Sequence, residues 1–423
     1  MILLLLSILF NYKIGEILSR TKNKNVLLVG ISIDLLLLGY YKYIKFFLIS
    51  FNSLCETSMP VPEVVLPLGI SFFTFTQIAF LVDAFRGETK GYSLKTYMLF
   101  VTFFPHLIAG PILYHKDIIP QLNKIGETRF SYENMAKGII FFVVGLFKKV
   151  YIADSLSPWV KMAFDNVESL TIIDAWLGAL AYTMQIYFDF SGYSEMAIGL
   201  GLMLNIYLPI NFSSPYKARS IIDFWRRWHI TLSEFLKNYL YIPIGGNRRG
   251  EFVKIRNLFL TMLLGGFWHG AGWNFIIWGA LHGVYLVTNH IWRKTNMEIP
   301  GVVSWGITFI AVTIAWVFFR AADATVGMIY INAMFGGNGL YLPNEYAVKI
   351  GSGISFKPLQ VDNLLVQLSV IAVLIWVVLK APSVQTIVQK QQPRLRLATL
   401  MVITLIMCLL KMNTVSEFLY FQF

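Results

Sequence analysis

The chain has 423 residues, of which 56% are hydrophobic and 14% charged, and its net charge is +12. That apolar content exceeds what one water-soluble core of this size hides, and the basic excess, gathered in loops, reads as the positive-inside bias of a membrane protein rather than a nucleic-acid footprint. The two cysteines, Cys55 and Cys408, are too few and too far apart to suggest a disulfide framework or thiolate chemistry.

A helical membrane span requires about 20 predominantly apolar residues. Residues 1–10 are very apolar but lack a basic leader and a small-residue cleavage site, so they open a span rather than form a signal peptide. Further apolar runs cover 26–38, 139–147, 176–184, 305–319, 364–379 and 397–410. With tolerant flanks the chain holds about 11 hydrophobic segments, some of them short or re-entrant. The expected fold is all-α, a polytopic transmembrane bundle. No repeat or low-complexity linker divides residues 1–423, so a single domain is expected. The loops are short except for residues 336–362, roughly 27 in number and long enough to have a role of their own.

Polar groups within spans are costly, and each is a functional candidate. Asp83 and Arg86, three apart on a helix, read as an ion pair. The island Gln185, Tyr187, Asp189, Ser191, Tyr193 and Glu195 interrupts an apolar stretch. Its acids either pair with arginines or cap a break at Gly192, or the island lines a substrate tunnel. Residues 213–256 carry nine basic side chains, among them Arg226, Arg227, Arg248 and Arg249, interleaved with Phe224, Trp225, Trp228 and Tyr239. An amphipathic helix lying at or dipping into the cytoplasmic face explains both the charge and the aromatics.

There are six histidines: His106, His115, His229, His269, His282 and His290. His269 follows Gly265, Gly266, Phe267 and Trp268 and precedes Gly270, with apolar helix on both sides. The glycines allow a close helix approach or a local break that makes room beside the imidazole. His229 stands four residues after Trp225 and is expected on the same helical face. Either histidine reads equally as a packed residue satisfied by a carbonyl. A metal is not expected: there is no His-Glu-x-x-His run, no cysteine cluster and no carboxylate at ligand spacing from His269. A serine nucleophile lacks its strand–turn–helix setting. A general base acting on a hydroxyl is the economical role for a buried histidine. The competing class is a transporter or channel lined by the same polar groups, although neither inverted-repeat symmetry nor paired broken helices are visible. A non-catalytic scaffold is the third possibility.

At the C-terminus Lys390, Arg394 and Arg396 precede the last apolar run. If they are cytoplasmic, that run carries the aromatic tail, residues 413–423, to the outside. Aromatic tails serve as interfacial anchors.

Residues 66–75 (Leu66, Pro67, Leu68, Gly69 and onward), Phe104 to Pro111, the Gln185 island, 225–232 and Trp268-His269-Gly270 together make the sequence similar to the membrane-bound O-acyltransferase family. Within it the chain looks like the bacterial branch of alginate and peptidoglycan O-acetyltransferases. The resemblance implies tilted helices, some re-entrant, around a central tunnel. It assigns His269 as the near-invariant histidine and His229 as the second active-site polar residue. It also implies acetyl-CoA as donor substrate, with no tightly bound cofactor. Arg226, Arg227, Arg248 and Arg249 offer bidentate donors to the CoA phosphates at the cytoplasmic mouth. Related systems carry a tyrosine in a similar aromatic tail as an acyl carrier, which marks Tyr420 as candidate acceptor for relay to an extracytoplasmic polysaccharide O-acetyltransferase partner. The implied home is the bacterial cytoplasmic (inner) membrane. The family pattern has further hydrophobic residues ahead of the segment that opens here, so one or two N-terminal helices are expected to be missing. Lys-, Ile- and Asn-rich usage, as from an AT-rich genome, leans the acceptor towards peptidoglycan over alginate.

Overall fold

The computed structural model describes residues 2–89, 91–107, 110–127, 129–339, 342–343, 356–357, 363–390, 395–412 and 419. Almost all regular structure among them is helical. The described strands are a two-residue parallel pair, Leu342–Pro343 with Phe356–Lys357. Most of residues 336–362 and nearly all of the tail, Tyr420 included, lie outside the described residues.

Three described helices are long and apolar enough to cross a membrane: Ile2–Thr21, Lys24–Cys55 and Gly301–Arg320. The pair Leu364–Lys380 and Val384–Lys390, bent by 50°, passes the same test together. Other apolar runs of the sequence fall on helices such as Tyr132–Phe147, Ile172–Met203 and Leu395–Lys411. These helices are inside-out by the standard of a water-soluble protein. Leu6, Leu36, Val302, Leu365 and Trp376 face outward, whereas Ser7, Asn11, Asp34, Thr313 and Gln367 are buried. Only a hydrocarbon solvent makes that distribution favourable, because helices satisfy their own backbone and can present apolar side chains to lipid.

The chain divides into two compact units, one of Met1–Val144, Tyr193–Asn211 and His229–Ile244, the other of Gly145–Gly192, Phe212–Trp228 and Gly245–Phe423. In the first, Ile2–Thr21 and Lys24–Leu38 both pack on Ile70–Arg86. Asn11 donates to Asp34 at 2.9 Å and also to Gln77, so the polar face of these helices is turned inward. In the second, Glu251–His269 and Trp273–Trp292 form an antiparallel hairpin, with Gly301–Arg320 packed on its second arm. Gly266 and Gly279 set the hairpin's spacing: a Cβ at Gly266 would lie 2.8 Å from Gly279 Cα. Three stretches, Gly39–Tyr43, Lys148–Ala153 and Leu236–Tyr241, wind as π-turns.

The basic segment 213–256 departs from the single amphipathic helix expected. It is cut into Pro215–Lys217, Ile221–Trp225, Ile230–Phe235 and the π-turn, before the hairpin begins at Glu251. The break between Trp225 and Ile230 arises because His229 takes a left-handed backbone, φ 44° and ψ 55°. Asn211 enforces it by accepting Ile230 N–H on its carbonyl at 3.0 Å and Thr231 N–H on its side chain at 3.3 Å. His229 therefore does not share a helical face with Trp225.

Candidate active site

His269 is the last residue of Glu251–His269, where the chain leaves the helix for the turn into Trp273–Trp292. It is 5% exposed and walled by aromatic rings, with Trp278 at 5.0 Å and Phe319 at 5.2 Å between centroids. Asn274 fixes the Phe319 wall by donating to the carbonyls of Phe318 at 3.3 Å and Ala321 at 2.9 Å. The glycine-rich surroundings thus provide both a close helix crossing and a chain break, and the break falls at the imidazole. The result is a histidine in a largely apolar enclosure, suited to proton transfer with little competition from water.

His229, in the other unit, is fully buried, with Nδ1 3.1 Å from Asn211 Oδ1. That oxygen already receives the Thr231 backbone N–H and, at 3.1 Å, its hydroxyl. A backbone N–H can only donate, so the Asn211 atom is the oxygen and His229 Nδ1 carries the proton. In neutral His229 the acceptor nitrogen is therefore Nε2. The left-handed backbone at this non-glycine residue costs about 1–3 kcal/mol, strain of the kind that gathers at functional sites.

The polar island lies on the helix Ile172–Met203. Asp189 is 1% exposed and pairs with Lys149 at 2.8 Å, while Lys149 also reaches Asp154 at 2.6 Å. The partner is a lysine rather than an arginine. Nor does Gly192 mark a break, because the helix runs through it. Gly192 instead permits close approach, since a Cβ there would lie 2.6 Å from the Gly145 carbonyl oxygen. Tyr187 packs among Phe212, Tyr216 and Trp228. Gln185 Oε1 and Ser191 Oγ are buried without a hydrogen-bond partner among the described residues. Tyr193 falls in the other unit. The backbone amide of Leu419, a buried tail residue next to Tyr420, hydrogen-bonds the Asp189 carboxylate.

Of the four arginines, Arg226, Arg248 and Arg249 are exposed. Arg227 is half-buried, and its Nε donates to Asp223 at 2.8 Å. Nearby Lys217 donates to the Ala381 carbonyl at 2.8 Å, and partial burial together with Arg227 lowers its ammonium pKa.

Among the remaining histidines, His106 binds the Phe100 carbonyl at 3.1 Å. His290 contacts Lys254 and lies 3.4 Å from Glu251. His115 Nε2 meets Asp83 at 3.0 Å, and Asp83 also takes Arg86 at 3.2 Å and the Tyr239 hydroxyl at 2.7 Å. The Asp83–Arg86 pair expected from spacing is therefore part of a larger network. His282 is fully buried against Trp225 and Trp278. Sequence reasoning gave no role to Asn211, Lys149, Trp278 or His282. Only the Trp278/His282 spacing of four along a helix offered a signal; Asn211 and Lys149 become visible only when distant segments meet.

The profile of the membrane-bound O-acyltransferase (MBOAT) family matches residues 40–322. The chain is 46% identical over 373 residues to the peptidoglycan O-acetyltransferase of Helicobacter pylori, covering 80% of this chain and 71% of that protein. It is also 46% identical over 338 residues to the probable alginate O-acetylase AlgI of Pseudomonas putida, covering 77% and 69%. The teichoic acid D-alanyltransferase of Bacillus subtilis is 28% identical over 261 residues, 59% of this chain and 66% of that protein. These matches set aside the transporter and scaffold readings. With its lipid-facing apolar helices and the buried His269, the chain belongs to the membrane-bound O-acyltransferase family and is an acyltransferase.

Proposed function

We propose that the chain moves acetyl groups from cytoplasmic acetyl-CoA across the bacterial cytoplasmic membrane, for O-acetylation of an extracytoplasmic polysaccharide by a partner transferase. Peptidoglycan is the preferred polymer; equal identity to an alginate enzyme keeps alginate, or another exopolysaccharide, as the second reading. The observation that carries the proposal is His269, a buried imidazole at a helix break inside an aromatic wall. On this reading residues 1–423 act as one catalytic domain, with about 11 hydrophobic segments surrounding a tunnel.

His269 is the general base. The acceptor hydroxyl oxygen bonds the thioester carbonyl carbon, its proton passes to His269, and the CoA thiolate leaves and regains a proton from the imidazole. His229 is the second active-site polar residue, as the family resemblance assigns it. Arg226, Arg248 and Arg249, exposed on the cytoplasmic segment, bind CoA phosphates, with Arg227 held in place by Asp223. Gln185, Tyr187, Asp189, Ser191 and Tyr193 line the tunnel. Tyr420 receives the acetyl group and hands it to the partner; the docking of its neighbour Leu419 on Asp189 supports that role.

The test is acetyl transfer from radiolabelled acetyl-CoA in reconstituted protein, followed by wall and exopolysaccharide acetate in cells. His269→Ala is expected to lower turnover by about 100- to 10,000-fold. Tyr420→Phe is expected to leave a folded protein that no longer supports polysaccharide acetylation. Wild-type turnover in His269→Ala would defeat the base assignment, and retained acetylation in Tyr420→Phe would leave the tail as an anchor.

A further inference from the structure

Trp225, Trp278 and His282 form a continuous group of side chains beside His269. The Trp225 indole Nε1–H donates to His282 Nδ1 at 3.3 Å. An indole N–H has no acceptor capacity, so Nδ1 is the accepting nitrogen and the proton of neutral His282 sits on Nε2. His282 thus has the opposite tautomer from His229. His282 is 0% exposed, and its Nε2 meets no hydrogen-bond partner among the described residues. Trp278, 1% exposed, holds its indole Nε1–H in the same condition. Trp278 and Trp316, with ring centroids 4.7 and 6.2 Å from His282, offer π-faces, but N–H···π contacts replace only a fraction of a hydrogen bond to oxygen. Two buried donors without acceptors call for a ligand that supplies one.

Their position indicates which ligand. His282 lies one helical turn from Trp278, whose ring is 5.0 Å from that of His269. From there the helix runs back to the basic end of the hairpin, where Lys254 meets His290 and Glu251 meets Lys294. His282 therefore stands between that cationic end and His269.

We propose that His282 Nε2–H and Trp278 Nε1–H bind a carbonyl oxygen of the acyl-pantetheine arm and so hold the thioester at His269. This deepens the acetyl-CoA reading and rests on it. Trp225 is the positioning residue, because its N–H fixes the tautomer that places the His282 proton on Nε2.

The experiment uses full-length protein in nanodiscs with acetyl-CoA as probe, measuring KM and kcat separately. His282→Phe should raise KM about tenfold, the scale of one lost hydrogen bond, with a smaller fall in kcat. His282→Gln should recover most of the loss, since Oε1 can accept from Trp225 while Nε2–H donates. Trp225→Phe should raise KM by a smaller factor than His282→Phe. Where His282→Phe fails to fold, the His282→Gln and Trp225→Phe pair decides. A wild-type KM in His282→Phe, or a His282→Gln variant no better than the phenylalanine, overturns the proposal. Wild-type protein that neither binds nor turns over acetyl-CoA instead overturns the donor reading beneath it.

Discussion

A buried carboxylate in this protein is only as stable as the groups around it. Asp83 is held by His115, Arg86 and Tyr239, which draw the π-turn Leu236–Tyr241 onto the helix Ile70–Arg86. Removing the acid leaves buried polar partners unmatched, a loss of about 3–5 kcal/mol, whereas deleting one hydroxyl bonded to a charge costs about 1.5–3 kcal/mol. Asp83→Ala should therefore lower the thermal midpoint of the purified protein clearly more than Tyr239→Phe. Equal midpoints would mean that Asp83 does not anchor the network. At this scale the sequence was legible wherever cost alone marks a residue: His269, Asp83 and Asp189 stood out as polar groups in apolar runs. It was illegible wherever a partner came from elsewhere. The lysine that neutralises Asp189 is forty positions away, and the asparagine that sets the His229 tautomer is eighteen.

Elements followed the apolar pattern except where side chains compete with the helix. The runs at 26–38, 305–319 and 364–379 became helices, and hydroxyls in them such as Thr308 and Ser369 bond carbonyls one turn back without breaking the ladder. The segment 213–256 broke because Asn211 supplies the backbone with other partners and bends the chain at His229. The hairpin depends on a different constraint, the absence of side chains at Gly266 and Gly279. Gly266→Val forces the two arms apart at their crossing and should cost about 1–3 kcal/mol. It should also lower acetyl transfer, since the arms carry His269 and Trp278. A variant with wild-type activity and midpoint would show that the crossing has slack.

For the whole molecule, charge placement predicts orientation. The turn between the first two helices carries Arg20, Lys22 and Lys24, which the positive-inside bias predicts to face the cytoplasm. The stretch Lys24–Cys55 has 32 residues. At 1.5 Å per residue it is about 48 Å long, more than a bilayer core of about 30 Å, so Cys55 emerges on the far side. Cys55 is exposed and Cys408 buried, so the native thiols already form a topology probe. A membrane-impermeant maleimide applied to intact spheroplasts should label Cys55 and leave Cys408 unreacted. Protection of Cys55 until lysis would invert the assignment. The π-turns carry a consequence for how such a chain tolerates insertions and deletions. A π-turn takes up about one residue more than an α-turn, while the helix on either side keeps its facing. Losing one residue within Gly39–Tyr43, which joins the helices Lys24–Leu38 and Ile44–Cys55, lets the turn rewind as α-helix and spares the packing on both sides. Losing one within Glu251–His269 has no such outlet and swings His269 by about 100°. Single-residue deletion scanning should find the first segment tolerant of shortening and the second intolerant, so that indels are filtered by helical winding before chemistry is tested.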